Sequence, residues 1–217
     1  MEVLGRRERK KRETREHIAE AALALFAERG FERVTVAEVA RRADVAPATV
    51  FNHFPTKEDL VYRGMESFEA AMVEAVRARP AGQSAPAAVG AFLSRTDGLL
   101  RATDPAGVAR LATISRIIAG SPALLAREQQ IFDQYTEVLA GVLAEETGAG
   151  PGDLRPWVVA NALLGVHRAV VGLARREVLA GRHGPELART VADRAAAALA
   201  VLEHGLAGYP DTEGADS

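Results

Sequence analysis

The sequence predicts an all-helical protein, and three features carry that expectation. Of 217 residues, 43 are Ala and 24 are Arg, two of the strongest helix formers. Aromatic residues make up only 5%, and few windows gather the β-branched and aromatic side chains that suit a pleated sheet. Hydrophobic residues, at 48%, suffice for a core, and they recur with a helical rather than a two-residue period. The length fits one large domain or two small ones.

Several chemistries are excluded at the outset. With no Cys, the chain has no disulfide, thiolate metal site, iron–sulfur cluster or thiol nucleophile. The 27 Lys and Arg against 29 Asp and Glu give a net charge of −2, which argues against a uniformly cationic coat for nucleic acid or membrane. The basic start, Met1 to Arg15, is not followed by the apolar segment of a secretory signal, and no run is read as the ~20 apolar residues of a membrane span. A cytoplasmic protein without a membrane partner is expected.

The elements follow in order. From Thr14 to Arg29, residues Ile18, Ala21, Ala22, Leu25 and Phe26 fall on one helical face, and Gly30 stops the helix. Thr35-Val36-Ala37-Glu38 is a capping box that starts a short helix running to about Arg42. A turn over Ala43–Ala46 leads to Pro47, suited to the first position of a second short helix that runs to about Phe54. Beyond Pro55, Thr56 opens a longer helix carrying Leu60, Phe68, Met72 and Val76 and ending before the Pro80–Pro86 stretch. Helices are then expected at about 87–101, 105–119, 122–146, 154–180 and 185–206, with a loop at 147–153 and a disordered polar tail. The corresponding domains are a basic arm at 1–12, a three-helix unit at 13–63, a larger helical domain at 64–207 and a tail at 208–217.

A supporting helix followed by two short helices and a tight turn is a helix-turn-helix arrangement. The run from Val39 to Leu60, with its Thr-x-Phe-x-His-Phe-x-x-Lys-Glu-x-Leu pattern from Thr49, resembles the DNA-binding domain of the TetR family of transcriptional regulators. The resemblance implies double-stranded operator DNA as a partner. It assigns Thr35 at a helix start, and His53 and Lys57 after the second short helix, to phosphate contacts. Thr49 and Asn52, three apart on the presumed recognition helix and opposite Val50 and Phe54, fall to base-edge and phosphate contacts, since Asn pairs with adenine and Thr meets a thymine methyl. Phe51 stands where the family often has Tyr, so stacking on a sugar replaces a hydroxyl contact. Pro47 pre-sets the helix start, where Ala46 replaces the common Ser or Thr cap, and Asp44 stands in the turn where Gly is common. Arg33, Arg41 and Arg42 add to the positive field. Alone, Asn52 and His53 would pass as solvated helix residues, but Met1 to Arg15 carries seven cations against three Glu directly upstream, a basic arm expected to lie along a groove and neutralise phosphates.

The remaining helices show no nucleophile–base spacing, phosphate-binding Gly loop or metal-ligand motif, so no catalysis, cofactor or metal is expected. The resemblance makes them a ligand-binding and dimerisation domain. From Trp157 to Ala174 only Asn161, His167 and Arg168 are polar, and this helix has a bulky stripe and a small one, Ala162, Gly165, Ala169 and Gly172. With Val191, Ala195, Ala198 and Leu202 of the last helix, the small stripe is the expected homodimer interface. Candidates for an effector pocket are Phe68, Met72, Phe92, Ile114, Phe132, Tyr135, Trp157, Asn161 and His167, a mostly apolar set suited to a lipophilic or aromatic small molecule. The resulting expectation is a homodimeric repressor released by an effector. The alternatives are an activator or effector-independent regulator of the same family, or, less favoured, a helical enzyme or binding protein.

Overall fold

The protein is described here by a computed structural model that covers residues 5–62, 64–95 and 100–205. Among the described residues there are nine α-helices, one short 3-10 turn and no strand. In order these are α1 (Arg6–Arg29), α2 (Val36–Arg42), α3 (Pro47–His53), the turn Glu58–Leu60, α4 (Met65–Arg77), α5 (Ala85–Arg95), α6 (Pro105–Ala119), α7 (Pro122–Thr147), α8 (Arg155–Leu179) and α9 (Gly184–His204). The expected tail lies outside the described residues.

The described residues form two compact units. One contains the chain up to Ser67 together with Ala109–Ile131, and the other contains Phe68–Val108 and the chain from Phe132 onward. In the first unit α2 packs on both α1 and α3, and Ile18, Ala22 and Phe26 of α1, Val39 and Ala40 of α2, Val50 of α3, and Phe54 are all buried. Phe26 and Phe54 are each 1% exposed, and burying such a side chain contributes roughly 1.5–3 kcal/mol. Gly30, at φ +79°, ends α1 and donates its N–H to the Phe26 carbonyl at 2.9 Å. The capping box of α2 is complete. The Glu38 amide donates to Thr35 Oγ1 at 3.3 Å, and the Thr35 amide and hydroxyl donate to Glu38 Oε2 at 2.8 and 2.9 Å. Asp44 takes the left-handed conformation at φ +50° in the turn to α3, a geometry Asp tolerates better than most residues. No side chain caps α3; Ala46 is its N-cap and Pro47 its first residue.

Residues 109–131 belong with this unit rather than with the helical body. The Tyr62 hydroxyl donates to the Leu124 carbonyl at 2.8 Å. Arg127 donates through Nε and Nη2 to Asp59 Oδ1 at 3.1 and 2.9 Å, and Ser121 donates to Glu32 Oε1 at 2.7 Å. Arg110 pairs with Glu20. In the second unit α9 packs on α5 and α8. Gly90 permits the α5–α9 approach, since a Cβ there would stand 3.3 Å from Leu199 Cδ1. Ser84 caps α5 by accepting from the Ala87 amide and donates its hydroxyl to Glu203 at 2.7 Å.

Several expected boundaries change. α1 starts at Arg6, so the described part of the basic arm is helix, continuous with the supporting helix. The long helix expected from Thr56 is broken: Asp59 Oδ2 accepts from the Thr56 amide and closes a short turn, and α4 begins only after Gly64. α5 begins two residues early because Ser84, not Pro86, sets its start, and 96–99 at its expected end lie outside the described residues. α8, at 25 residues, is long and apolar enough to meet the length and hydropathy of a membrane span, contrary to the sequence expectation.

The Glu38 carboxyl is held down at about 2, first by the Thr35 backbone hydrogen bond and then by Arg29, whose Nη2 lies 2.8 Å from Oε1. A folded pKa below the unfolded 4.5 adds stability that is complete above that pH and is lost as pH falls from 4.5 towards 2. Thermal unfolding of Glu38→Gln should therefore differ from the parent at neutral pH, with the gap narrowing through this acid window. Thr35→Ala should lose about 1 kcal/mol. An acid-independent gap would show that the carboxylate is not the working group.

Candidate nucleic-acid interface

Helix α3 has two faces of opposite character. Val50 is 1% exposed and faces the core, while Phe51 and Asn52 are exposed and Thr49 and His53 half-buried. Thr49, Asn52 and His53 line a cleft of about 400 Å³ whose other wall is Arg7, Lys10, Lys11 and Thr14 of α1. Arg7, Lys10 and Lys11 belong to the basic arm expected to meet DNA as a whole, and neither they nor Thr14, at the start of the supporting helix, are singled out as contacts by the sequence. A signal was present, because 7, 10, 11 and 14 extend backward the same face that carries Ile18, Ala21, Ala22 and Leu25.

Other expected contacts are placed differently. The Thr35 hydroxyl donates to Glu38 within the capping box, so its hydrogen is not offered to a phosphate, and the neighbouring carboxylate makes the spot less favourable for an anion. In the free protein the Thr35 hydroxyl is thus engaged within the cap. Arg33 is exposed but donates through Nε to the Arg29 carbonyl at 2.7 Å, which closes the end of α1. Arg42 lies 3.8 Å from Glu28. Lys57 holds its ammonium 4.1 Å from the Phe31 ring centroid, a cation–π contact that anchors its stem just past α3. Pro47 is exposed at the first position of α3, as its role requires.

In the second unit four rings of the expected pocket set come together. Phe68 stacks on His167 with centroids 5.1 Å apart, meets Phe92 edge-on at 5.0 Å, and Phe132 meets His167 edge-on at 5.5 Å. Met72 is fully buried and Tyr135 half-buried. His167 is 4% exposed, with Nδ1 3.7 Å from Glu69 Oε1 and in no hydrogen bond among the described residues; burial pushes the imidazole down to about 4, so it is neutral at pH 7. Trp157 and Asn161 do not join this group. Both are exposed, and the Asn161 amide donates to the Trp157 carbonyl one turn back. Ile114 lies in the other unit.

Helix α8 buries only the stripe Pro156, Ala160, Leu163, Leu164 and His167, with Val178 near its end. The stripe of Val158, Ala162, Gly165, Ala169 and Gly172 is left exposed or half-exposed, and nothing among the described residues lies within 4 Å of a Cβ built on Gly165. On α9, Val191 and Ala195 are buried inside the chain at 6% and 4% exposure, because α9 turns that face to its own neighbours. They are core residues and not part of a free face, whereas Ala198 and Leu202 remain half-exposed.

His53 is the titrating group of the cleft. Partial burial, then the charges of Arg15 and Lys11, hold its pKa below the usual 6.5; Arg15 also donates to the His53 carbonyl at 3.4 Å. Since the folded state resists protonation, stability falls as pH drops below 6.5. NMR titration should place the His53 midpoint below 6.5, and Lys11→Ala should raise it. A midpoint unmoved by that substitution would remove Lys11 from the His53 environment.

Comparison with known proteins agrees with this geometry. Residues 18–63 match the profile of bacterial regulatory proteins of the tetR family, and residues 64–207 match that of the MftR C-terminal domain. The transcriptional regulator TcmR of Streptomyces glaucescens is 33% identical over 172 residues, covering 76% of this chain and 75% of its own. A Mycobacterium tuberculosis protein provisionally named the mycofactocin biosynthesis transcriptional regulator MftR is 27% identical, covering 73% of this chain and 78% of its own. The solved structure of SmeT, repressor of a Stenotrophomonas maltophilia multidrug efflux pump, shares the fold at a TM-score of 0.53 with 20% identity, over 86% of this chain and 89% of its own. With its helix-turn-helix matching that family profile and about three quarters of its length matching such a regulator, the chain belongs to the TetR family of transcriptional regulators.

Proposed function

We propose that the protein is a homodimeric repressor that occupies a pseudo-palindromic operator and leaves it when a small lipophilic or aromatic effector binds the helical body. The observation that carries the DNA-reading part is the two-faced α3, with Val50 buried, and with Thr49 and Asn52 opening onto a cleft walled by Arg7, Lys10 and Lys11. In a major groove, Asn52 would pair with an adenine edge and Thr49 would meet a thymine methyl, while His53 and Lys57 would hold phosphates. Two such heads meet half-sites one helical turn apart, ~34 Å, so a modest change in their separation weakens specific binding far more than non-specific binding.

The stripe on α8 supports the dimer. An apolar helix of 25 residues with its small-residue face uncovered is stabilised by a second copy of that face, joined by Ala198 and Leu202 of α9. This gives the apolar length of α8 a use in a protein acting in the cytoplasm, where its DNA lies. The ring cluster around His167 supports the effector site, since a neutral imidazole in an apolar wall offers one oriented hydrogen bond to a ligand.

Mobility shifts on DNA from the region upstream of its own coding sequence test the first part. Asn52→Ala should relax discrimination among sequences by about 1–3 kcal/mol at one base pair, and Lys57→Ala should weaken all duplexes alike. If both variants bind as the parent does, the assignments fail. Ala169→Arg places a charge on the exposed stripe without touching the core. Light scattering should then report a monomer where the parent is a dimer, and a parent mass of one chain would refute the interface.

A further inference from the structure

Helix α1 carries a face whose chemistry changes partway along it. Residues 18, 21, 22 and 25 on this face are the apolar contacts of the first unit, and one to three turns earlier the same face reads Arg7, Lys10, Lys11 and Thr14. These four residues form one wall of the cleft opposite Thr49, Asn52 and His53. The cations of α1 are sorted by face. Arg9 and Arg12 lie 3.8 and 3.9 Å from Glu13 and Glu16, one turn ahead, whereas Arg7, Lys10 and Lys11 form no ion pair among the described residues. Thr14 donates its hydroxyl to the Lys10 carbonyl at 2.9 Å, so towards the cleft it presents an oxygen that only accepts. The cleft is thus a concave site with three unneutralised cations on one wall and a recognition helix on the other.

We infer that this face of α1 is a second DNA-contact element, a clamp that holds the sugar–phosphate backbone of one strand against the edge of the recognition helix. The inference rests on the DNA-reading role given above to α3 and deepens it. Its ligand is a polyanionic strand and not a lone anion. From Arg7 to Thr14 the helix advances ~10 Å, about three base-pair rises along the duplex axis and more than the reach of a single phosphate. The cleft of about 400 Å³ exceeds the space of a single bound water, ~30 Å³, by an order of magnitude. Contacts of this kind, to phosphate oxygens, position the duplex and carry no sequence information themselves. Lys11 is also one of the charges that keep His53 neutral, so a strand in the cleft meets three cations and a hydrogen-bonding imidazole.

The test uses the full chain and two duplexes, one of mixed sequence and one from its own upstream region, with affinity measured by fluorescence anisotropy across a salt series. The triple variant Arg7→Ala, Lys10→Ala, Lys11→Ala keeps helix-forming residues on an exposed stretch, and circular dichroism checks that the helix persists. Its log K against log salt slope should be shallower than the parent's by about 0.9 for each lost phosphate contact, roughly 2–3 per protomer, on both duplexes. The affinity ratio between the duplexes should stay unchanged. The double variant Arg9→Ala, Arg12→Ala should change the slope by less than half as much. A triple variant with the parent's slope overturns the clamp, and so does a double variant that loses as much, because the effect would then be a general positive field. A changed duplex ratio would make these residues base readers and overturn it too. A parent that binds neither duplex fails the DNA-reading role itself, a result separate from all of these.

Discussion

The reading head depends on one carboxylate. Glu38 accepts from the Thr35 amide and hydroxyl through one oxygen and faces Arg29, at the end of α1, through the other. It thereby fixes where α2 starts relative to where α1 stops. The remaining geometry follows in series. α2 ends in the Asp44 turn, α3 leaves that turn with its first residue pre-set by Pro47, and Asn52 emerges on the face away from Val50. Charge-assisted hydrogen bonds of this kind are short and directional, which suits an element whose purpose is to aim side chains.

The helical body solves a different problem. α8 has too much apolar surface for its own chain to cover, and the structure buries one stripe and leaves another bare. α9 takes the opposite course, spending Val191 and Ala195 on the core it shares with α5 and α8. Residues of similar composition on adjacent helices therefore have unlike roles. The helix that turns its small face outward keeps a bare apolar surface, and the one that turns it inward builds a scaffold.

Much of this was legible in the sequence where the chemistry is local. The capping box at Thr35, the proline at 47, the left-handed Asp44 and the helices from Pro105 and Pro122 depend on residues within one turn of each other, and they stand where the pattern puts them. What escaped depends on distant partners. The break after Leu60 is held by Tyr62 and Asp59 reaching α7, over sixty positions away, and no periodicity encodes that. The inward turn of Val191 and the outward position of Trp157 were equally hidden, because a helical stripe shows that a face is apolar without showing what covers it. On α1 the period was legible, but a switch from apolar to cationic residues disguised one face as two features.

The pairing of Asp59 with Arg127 bears on modularity. One carboxylate closes the turn after the recognition helix and holds the first turns of α7, while Tyr62 and Glu32 are engaged by Leu124 and Ser121. Cutting the chain at the end of the sequence motif would strip these groups of their partners. The head is therefore a discontinuous inheritance unit. A chimaera that transplanted its specificity onto another body would have to carry residues 109–131 along with the helix-turn-helix, and drift in either segment is constrained by the other.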